Sequence, residues 1–244
     1  MGIMNVTPDS FYADSRQQTE EDIAHRTEEI LAQGGSIIDI GACSTRPGSE
    51  PVSESEEADR LRHALAIVRR EAPQAIISID TFRPRMARMA VEEFEADIIN
   101  DVEGTIEMQR LVSQLRVPYI YMSSKAAMYD ILLDCAETTD RLRSWGQKDI
   151  VLDPGFGFGK DVIRGNYDIL LRLNEVKQHF PTLPLLAALS RKRMVWMPLD
   201  VTPDTLSAMH GTMLLNLISM QQGADILRVH DVKATAEMML RCNY

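Results

Sequence analysis

Apolar residues along this chain arrive in short runs, and polar, helix-patterned stretches separate them. Runs such as "SIIDIG" and "AIISID" are too short for helices and too apolar for loops, so they read as buried strands. Eight such candidates occur, at 2–5, 37–41, 76–80, 97–100, 118–122, 149–153, 184–189 and 225–229. Between them the apolar spacing changes to that of amphipathic helices. "TEEDIAHRTEEILAQGG" carries Ile23, Thr27, Ile30 and Leu31 on one face, with Thr19 as its N-cap and Gly34 and Gly35 at its end. "SESEEADRLRHALAIVRR" begins with Ser53 and Glu56 at capping-box spacing.

Strand and helix thus alternate through a single domain, 1–244, with no linker, low-complexity segment or internal repeat to divide it. Eight parallel strands alternating with helices in about 250 residues describe a (β/α)8 TIM barrel. A doubly wound open sheet is the alternative, but it rarely needs eight parallel strands.

Nearly every candidate strand ends in a polar residue: Asn5, Asp39, Asp80, Asn100, Ser123, Asp153, Ser190 and His230. One such residue reads as a loop cap. Eight of them, on the face where barrels place their chemistry, point to a site.

Composition narrows the class. The net charge is −10, which disfavours a nucleic-acid partner, and no apolar run approaches the ~18 residues of a membrane span. No secretory signal is visible, and Cys43, Cys135 and Cys242 match no zinc pattern, so a cytoplasmic location is expected. Against this acidic background, cations follow the strand ends: Arg46, Lys160, Arg191, Lys192, Arg193, Arg228, His230 and Lys233. Their placement suits a small anionic substrate. The glycine-rich "DPGFGFGK" is not a P-loop, because Pro154 stands where the first glycine is needed and Asp161 where Ser or Thr is needed.

"MGIMNVTPDSF", "IDIGACSTRPGSEPVS", "ISIDT", "IINDVEG", "DPGFGFGK", "SRK" and "RVHDVK" together resemble the dihydropteroate synthases of the pterin-binding enzyme family, in family order over almost the whole chain. The resemblance implies a transferase of folate biosynthesis. It would join 6-hydroxymethyl-7,8-dihydropterin diphosphate to p-aminobenzoate, with Mg2+, and would be a sulfonamide target. It implies a pterin site of Asp80, Asn100, Met122, Asp153, Lys192 and Arg228, with Asp80, Lys192 and Arg228 catalytic. It implies a diphosphate site of Asn5, Thr45, Arg46, Arg228 and His230, with Asn5 also a metal ligand. Thr45, Pro47, Phe158 and Lys192 match a p-aminobenzoate pocket, and Arg193 is expected to contact that substrate. Family members are commonly dimers, so a homodimer is expected.

Departures fall on the loops. "YADSR" replaces a Ser-Asp-Gly-Gly stretch after the first strand, Cys43 replaces a glutamate, Ser123 a histidine and Arg193 a serine. Two other functions are open. A methyltetrahydrofolate methyltransferase shares the barrel, but it has no diphosphate to hold. A non-catalytic pterin-binding paralogue would not need the diphosphate cations.

Overall fold

The structure, a computed structural model, describes residues 1–6, 20–43 and 52–242. Its strands are β1 (Gly2–Asn5), β2 (Ile37–Gly41), β3 (Ile76–Asp80), β4 (Ile98–Asp101), β5 (Tyr119–Met122), β6 (Ile150–Asp153), β7 (Leu186–Ala187) and β8 (Ile226–Leu227). Strands β1 to β6 form one parallel sheet in chain order, and β7 pairs with β8. Single bridges join the pieces into a closed (β/α)8 barrel. Leu152 N–H donates to Pro184 O at 2.9 Å between β6 and β7, and Ile3 N–H donates to Val229 O at 2.9 Å between β1 and β8.

Helices α1 (Glu20–Ala32), α2 (Glu54–Glu71), α3 (Pro84–Phe94), α4 (Ile106–Leu115) and α5 (Met128–Ser144) follow β1 to β5. A pair, α6 (Arg164–Leu171) and α7 (Leu173–His179), follows β6. The one-turn α8 (Arg193–Trp196) and α9 (Leu206–Gln221) follow β7, and α10 (Val232–Arg241) follows β8. Local signals account for the ends. Ser53 Oγ accepts from Glu56 N–H at the start of α2, one arm of the expected capping box, while the Glu56 side chain pairs with Arg60 instead. In α1, Ile23, Thr27 and Ile30 are buried as their spacing requires. Thr19 lies outside the described residues.

Strand side chains alternate between two environments. Ile38, Ile40, Ile77, Ile79, Ile99 and Leu152 point out into the layer beneath the helices, which holds the main core. The inward positions divide by height. Ile98, Ile120, Val151, Leu186, Ala188 and Ile226 make a small apolar cluster in the lower barrel. Above it the inward positions are Asn5, Gly41, Asp80 and Asn100, which are direct neighbours in strand register. An apolar plug therefore lies under a polar floor.

Strands β1 to β3 have the expected bounds, while β4 to β8 differ by one residue or more, and two polar residues expected at strand ends are placed differently. Strand β4 runs to Asp101, which turns away from Asn100 and accepts from Glu103 N–H, Gly104 N–H and Tyr119 Oη–H. Asp39, counted among the polar strand ends, sits in the middle of β2, which runs to Gly41 as expected and leaves Asp39 one layer lower, fully buried.

Candidate functional site

The centre of the polar floor is Arg228. Its Nε donates to Asp39 Oδ2 at 2.6 Å and its Nη2 donates to Asp80 Oδ2 at 2.6 Å. Asp39 Oδ2 also accepts from Asn100 Nδ2 at 3.2 Å. A carboxylate only accepts, so this contact orients the Asn100 amide with its NH2 toward Asp39. Asp39 was legible as a polar strand residue, yet its place as the buried counter-ion beneath the site was not.

Charge in this cluster is strongly shifted. Burial pushes the Asp80 carboxyl up to about 6; Arg228 opposes the rise and Asp39 adds to it. Burial also pushes Asp153 up, with Lys192 opposing. Burial draws the Lys192 ammonium down to about 8, against the pull of Asp153. For Arg228, burial disfavours the charge, but Asp39 and Asp80 outweigh it and hold the guanidinium above its ordinary value. Asp80, Asp153 and Lys192, with proton affinities driven toward neutrality around the Arg228 guanidinium, make this cluster the candidate reaction centre.

The loop after β6 forms one wall. Gly155 has φ +71° and a Cβ there would stand 2.2 Å from Ser123 O, so no other residue fits. This turn lets Gly155 N–H donate to Asp153 Oδ1 at 2.7 Å, which fixes the carboxylate plane. Phe158 lies under Lys192, whose Nζ is 5.0 Å from the ring centroid, and that Nζ also donates to Phe156 O. Met122 is buried beside Asp153, its register partner.

Several sequence expectations are revised here. Lys160 does not serve a ligand: its Nζ donates to the carbonyls of Ser123, Gly155 and Phe158 and ties the glycine loop to β5. Arg191 is engaged by Asp231. Ser123, where the family pattern has histidine, is fully buried and donates to Asp134 Oδ2 at 2.6 Å on α5. Arg193 is exposed at the first position of the four-residue α8. One turn aligns too few peptide dipoles to give the anion preference expected of a longer helix. Asn5 and His230 share a cleft with Arg26, Arg191 and Lys233 beside β1 and β8. Thr45, Arg46 and Pro47, and the first-loop segment Tyr12 to Arg16, lie outside the described residues.

Comparison with known proteins identifies the family and supports the fold. The family model described as "Pterin binding enzyme" matches residues 1–230. The dihydropteroate synthase of Bacillus subtilis is 36% identical over 251 residues, covering 98% of this chain and 85% of the relative. A Xanthomonas albilineans dihydropteroate synthase, solved with indole-2-carboxylic acid and 6-chloroguanine, superposes with a TM-score of 0.90 at 31% identity. That match covers 99% of this chain and 91% of the other. The dihydropteroate synthase of Coxiella burnetii, solved with pteroic acid, gives 0.86 at 33% identity, covering 100% and 91%.

Proposed function

The chain belongs to the pterin-binding enzyme family, and on that premise we propose that it catalyses the dihydropteroate synthase reaction of folate biosynthesis. The carbon–oxygen bond between the pterin methylene and diphosphate breaks, and its electron pair leaves with diphosphate. The amine of p-aminobenzoate then bonds to the methylene carbon and gives up a proton. The observation that supports this most directly is the polar floor: Asp80 and Asn100 adjacent in register, Arg228 joining Asp80 to buried Asp39, and Asp153 and Lys192 close enough to interact electrostatically with that pair.

A pterin ring presents a fixed row of donors and acceptors. The Asp80 and Asp153 carboxylates meet its N–H edge, and Lys192 meets its acceptor edge. The Asn100 amide is already oriented by Asp39. Arg228 sits where its plane can lie along the ring. When diphosphate departs, the pterin methylene becomes cationic. Asp39, Asp80 and Asp153 outnumber Arg228 and Lys192 by one charge, so the ionised floor favours that cation. Phe158 and Lys192 border the approach of p-aminobenzoate, with Thr45, Pro47 and Arg193 assigned to the same pocket. Asn5, Thr45, Arg46, Arg228 and His230 take the diphosphate.

Magnesium fits the donor set. Among the described residues no group of three metal-binding side chains occurs. Asn5 supplies one hard oxygen at the end of β1, and Mg2+ characteristically takes its remaining ligands from water and substrate phosphates. Bound there it would offset diphosphate charge. A cytoplasmic location and a homodimer belong to the same reading. All three cysteines are free thiols, and no helix among the described residues is long and apolar enough to cross a membrane.

The test is direct. Purified protein incubated with pterin diphosphate, p-aminobenzoate and Mg2+ should release dihydropteroate and diphosphate in equal amounts. Absence of both products, from protein that still binds pterin, would leave only a binding role.

A further inference from the structure

Beyond the residues assigned above, the ends of β7 and β8 are joined by side chains. The strands pair with an offset of 40 residues, Leu186 with Ile226 and Ala187 with Leu227. The ladder is only two residues long, yet the same offset continues past it. Ser190 meets His230, and Arg191 meets Asp231. His230 N–H donates to Ser190 Oγ at 3.1 Å, and the same Oγ lies 3.0 Å from His230 Nδ1. Arg191 Nε and Nη2 reach the two oxygens of Asp231 at 2.9 and 2.5 Å. Arg191 takes a left-handed backbone, φ +54°, which is unfavourable for a non-glycine residue. Its N–H donates to Thr212 Oγ1 at 3.2 Å. From the other side, Arg26 Nη2 donates to His230 O at 2.9 Å. His230 is therefore held at its amide, its carbonyl and its ring.

We propose that Ser190, supported by the Arg191–Asp231 pair, is a positioning residue for diphosphate: it fixes which edge and which tautomer of His230 face the anion. This rests on the reading of His230 as a diphosphate ligand. The chemistry follows from the proton count on Oγ. One lone pair accepts the His230 amide hydrogen. When the imidazole is neutral, the Nε2–H tautomer lets the hydroxyl donate to Nδ1, whereas the Nδ1–H tautomer would leave the hydroxyl proton with no acceptor among the described residues, so the Nε2–H form is favoured. When the imidazole is charged, Nδ1–H donates to Oγ and Nε2 again carries a proton. In both states Nε2 is a donor, as an anion requires. Without the hydroxyl that preference is lost, and the Nδ1–H tautomer, which presents a lone pair at Nε2, gains population. Lys192 follows Arg191 directly, so the clasp also sets the pterin lysine in a fixed relation to His230.

The experiment compares Ser190→Ala, Ser190→Thr, Asp231→Asn and His230→Ala by calorimetry. The probes are inorganic diphosphate with Mg2+ and, separately, 6-hydroxymethyl-7,8-dihydropterin without phosphates. Ser190→Ala should weaken diphosphate about tenfold, the size of one lost hydrogen bond, and leave the pterin alcohol within error. Ser190→Thr, which keeps the hydroxyl, should restore most of the loss. Nitrogen NMR of His230 should show the Nε2–H tautomer in the parent and a mixture in Ser190→Ala. Should that variant not fold, Asp231→Asn, which weakens the Arg191 support but keeps the hydroxyl, should weaken diphosphate in the same direction with the Nε2–H tautomer retained, and unchanged diphosphate binding there would overturn the supporting role of the pair. If His230→Ala weakens diphosphate and Ser190→Ala does not, the positioning role is overturned while the diphosphate site stands. If neither variant changes it, the reading of His230 has failed, and the positioning role fails with it.

Discussion

Arg228 Nη2 and Asp80 Oδ2 lie 2.6 Å apart, and the same guanidinium holds Asp39 through its Nε. Asp80 is therefore not an isolated carboxylate at a strand end. It is the upper, partly exposed member of an acid–base–acid stack whose lowest member, Asp39, is fully buried, and its proton affinity reflects all three groups.

Replacing Asp80 with alanine removes one partner of Arg228 and, on the proposed assignment, the acceptor for the pterin N–H edge. Pterin affinity should fall by ~1–3 kcal/mol or more, the usual cost of leaving buried donors unpaired. Turnover should be lost as well. Calorimetry with pterin diphosphate checks the first; unchanged binding would remove Asp80 from the pterin site.

The pH dependence of kcat/KM for the pterin substrate should be bell-shaped, falling below about 6 as Asp80 takes a proton and above about 8 as Lys192 loses one. Asp39→Asn removes a negative neighbour of Asp80, so the acid limb should move to lower pH. The same shift acts on stability with a definite sign. Asp80 binds its proton more tightly in the folded chain than at its ordinary 3.8, so its contribution to stability falls as pH rises from 3.8 to about 6. An acid limb that stays in place in Asp39→Asn would count against this coupling.

Asp39→Ala should be among the most destabilising single changes. It strips a fully buried carboxylate from Arg228 and Asn100, and breaking a buried ion pair typically costs ~3–5 kcal/mol. Thermal and urea unfolding measure it; a loss below about 1 kcal/mol, the range of exposed pairs, would mean that Arg228 finds another partner.

Gly155→Ala and Gly146→Ala separate steric clash from backbone strain. Both glycines have positive φ, but a Cβ at Gly155 meets Ser123 O at 2.2 Å, whereas one at Gly146 meets nothing within 4 Å. Gly146→Ala should cost about 1–2 kcal/mol from the left-handed backbone alone. Gly155→Ala should cost more, and it should weaken pterin binding, because Gly155 N–H orients Asp153. Equal losses in the two variants would show that the Ser123 contact relaxes freely.

Two assignments reach the second substrate and the metal. EDTA should remove most activity, Mg2+ should restore it, and Asn5→Ala should raise the Mg2+ concentration needed. Arg193→Ser should change the Michaelis constant for p-aminobenzoate and the inhibition constant of a sulfonamide together. If both constants stay within error, the exposed Arg193 side chain serves only the surface.

Local pattern along the chain was enough to establish the alternation of strands and helices, the polar strand ends and the family motifs, because each is written within a few neighbouring residues. Barrel closure, and what it brings together, was not local. Arg228 pairs with Asp39 and Asp80 across 189 and 148 residues of chain, and neither contact exists until β8 returns beside β1. Lys160 and Arg191 read as members of an anion site, since a motif shows charge but not its partner. Only the folded chain shows that one is spent on backbone carbonyls and the other on Asp231. Asp39 shows the same limit from the opposite side. Its residue type and its strand were plain, but its depth and its pairing with Arg228 depended on barrel closure, and depth decides whether a carboxylate meets a ligand or carries the residue that does.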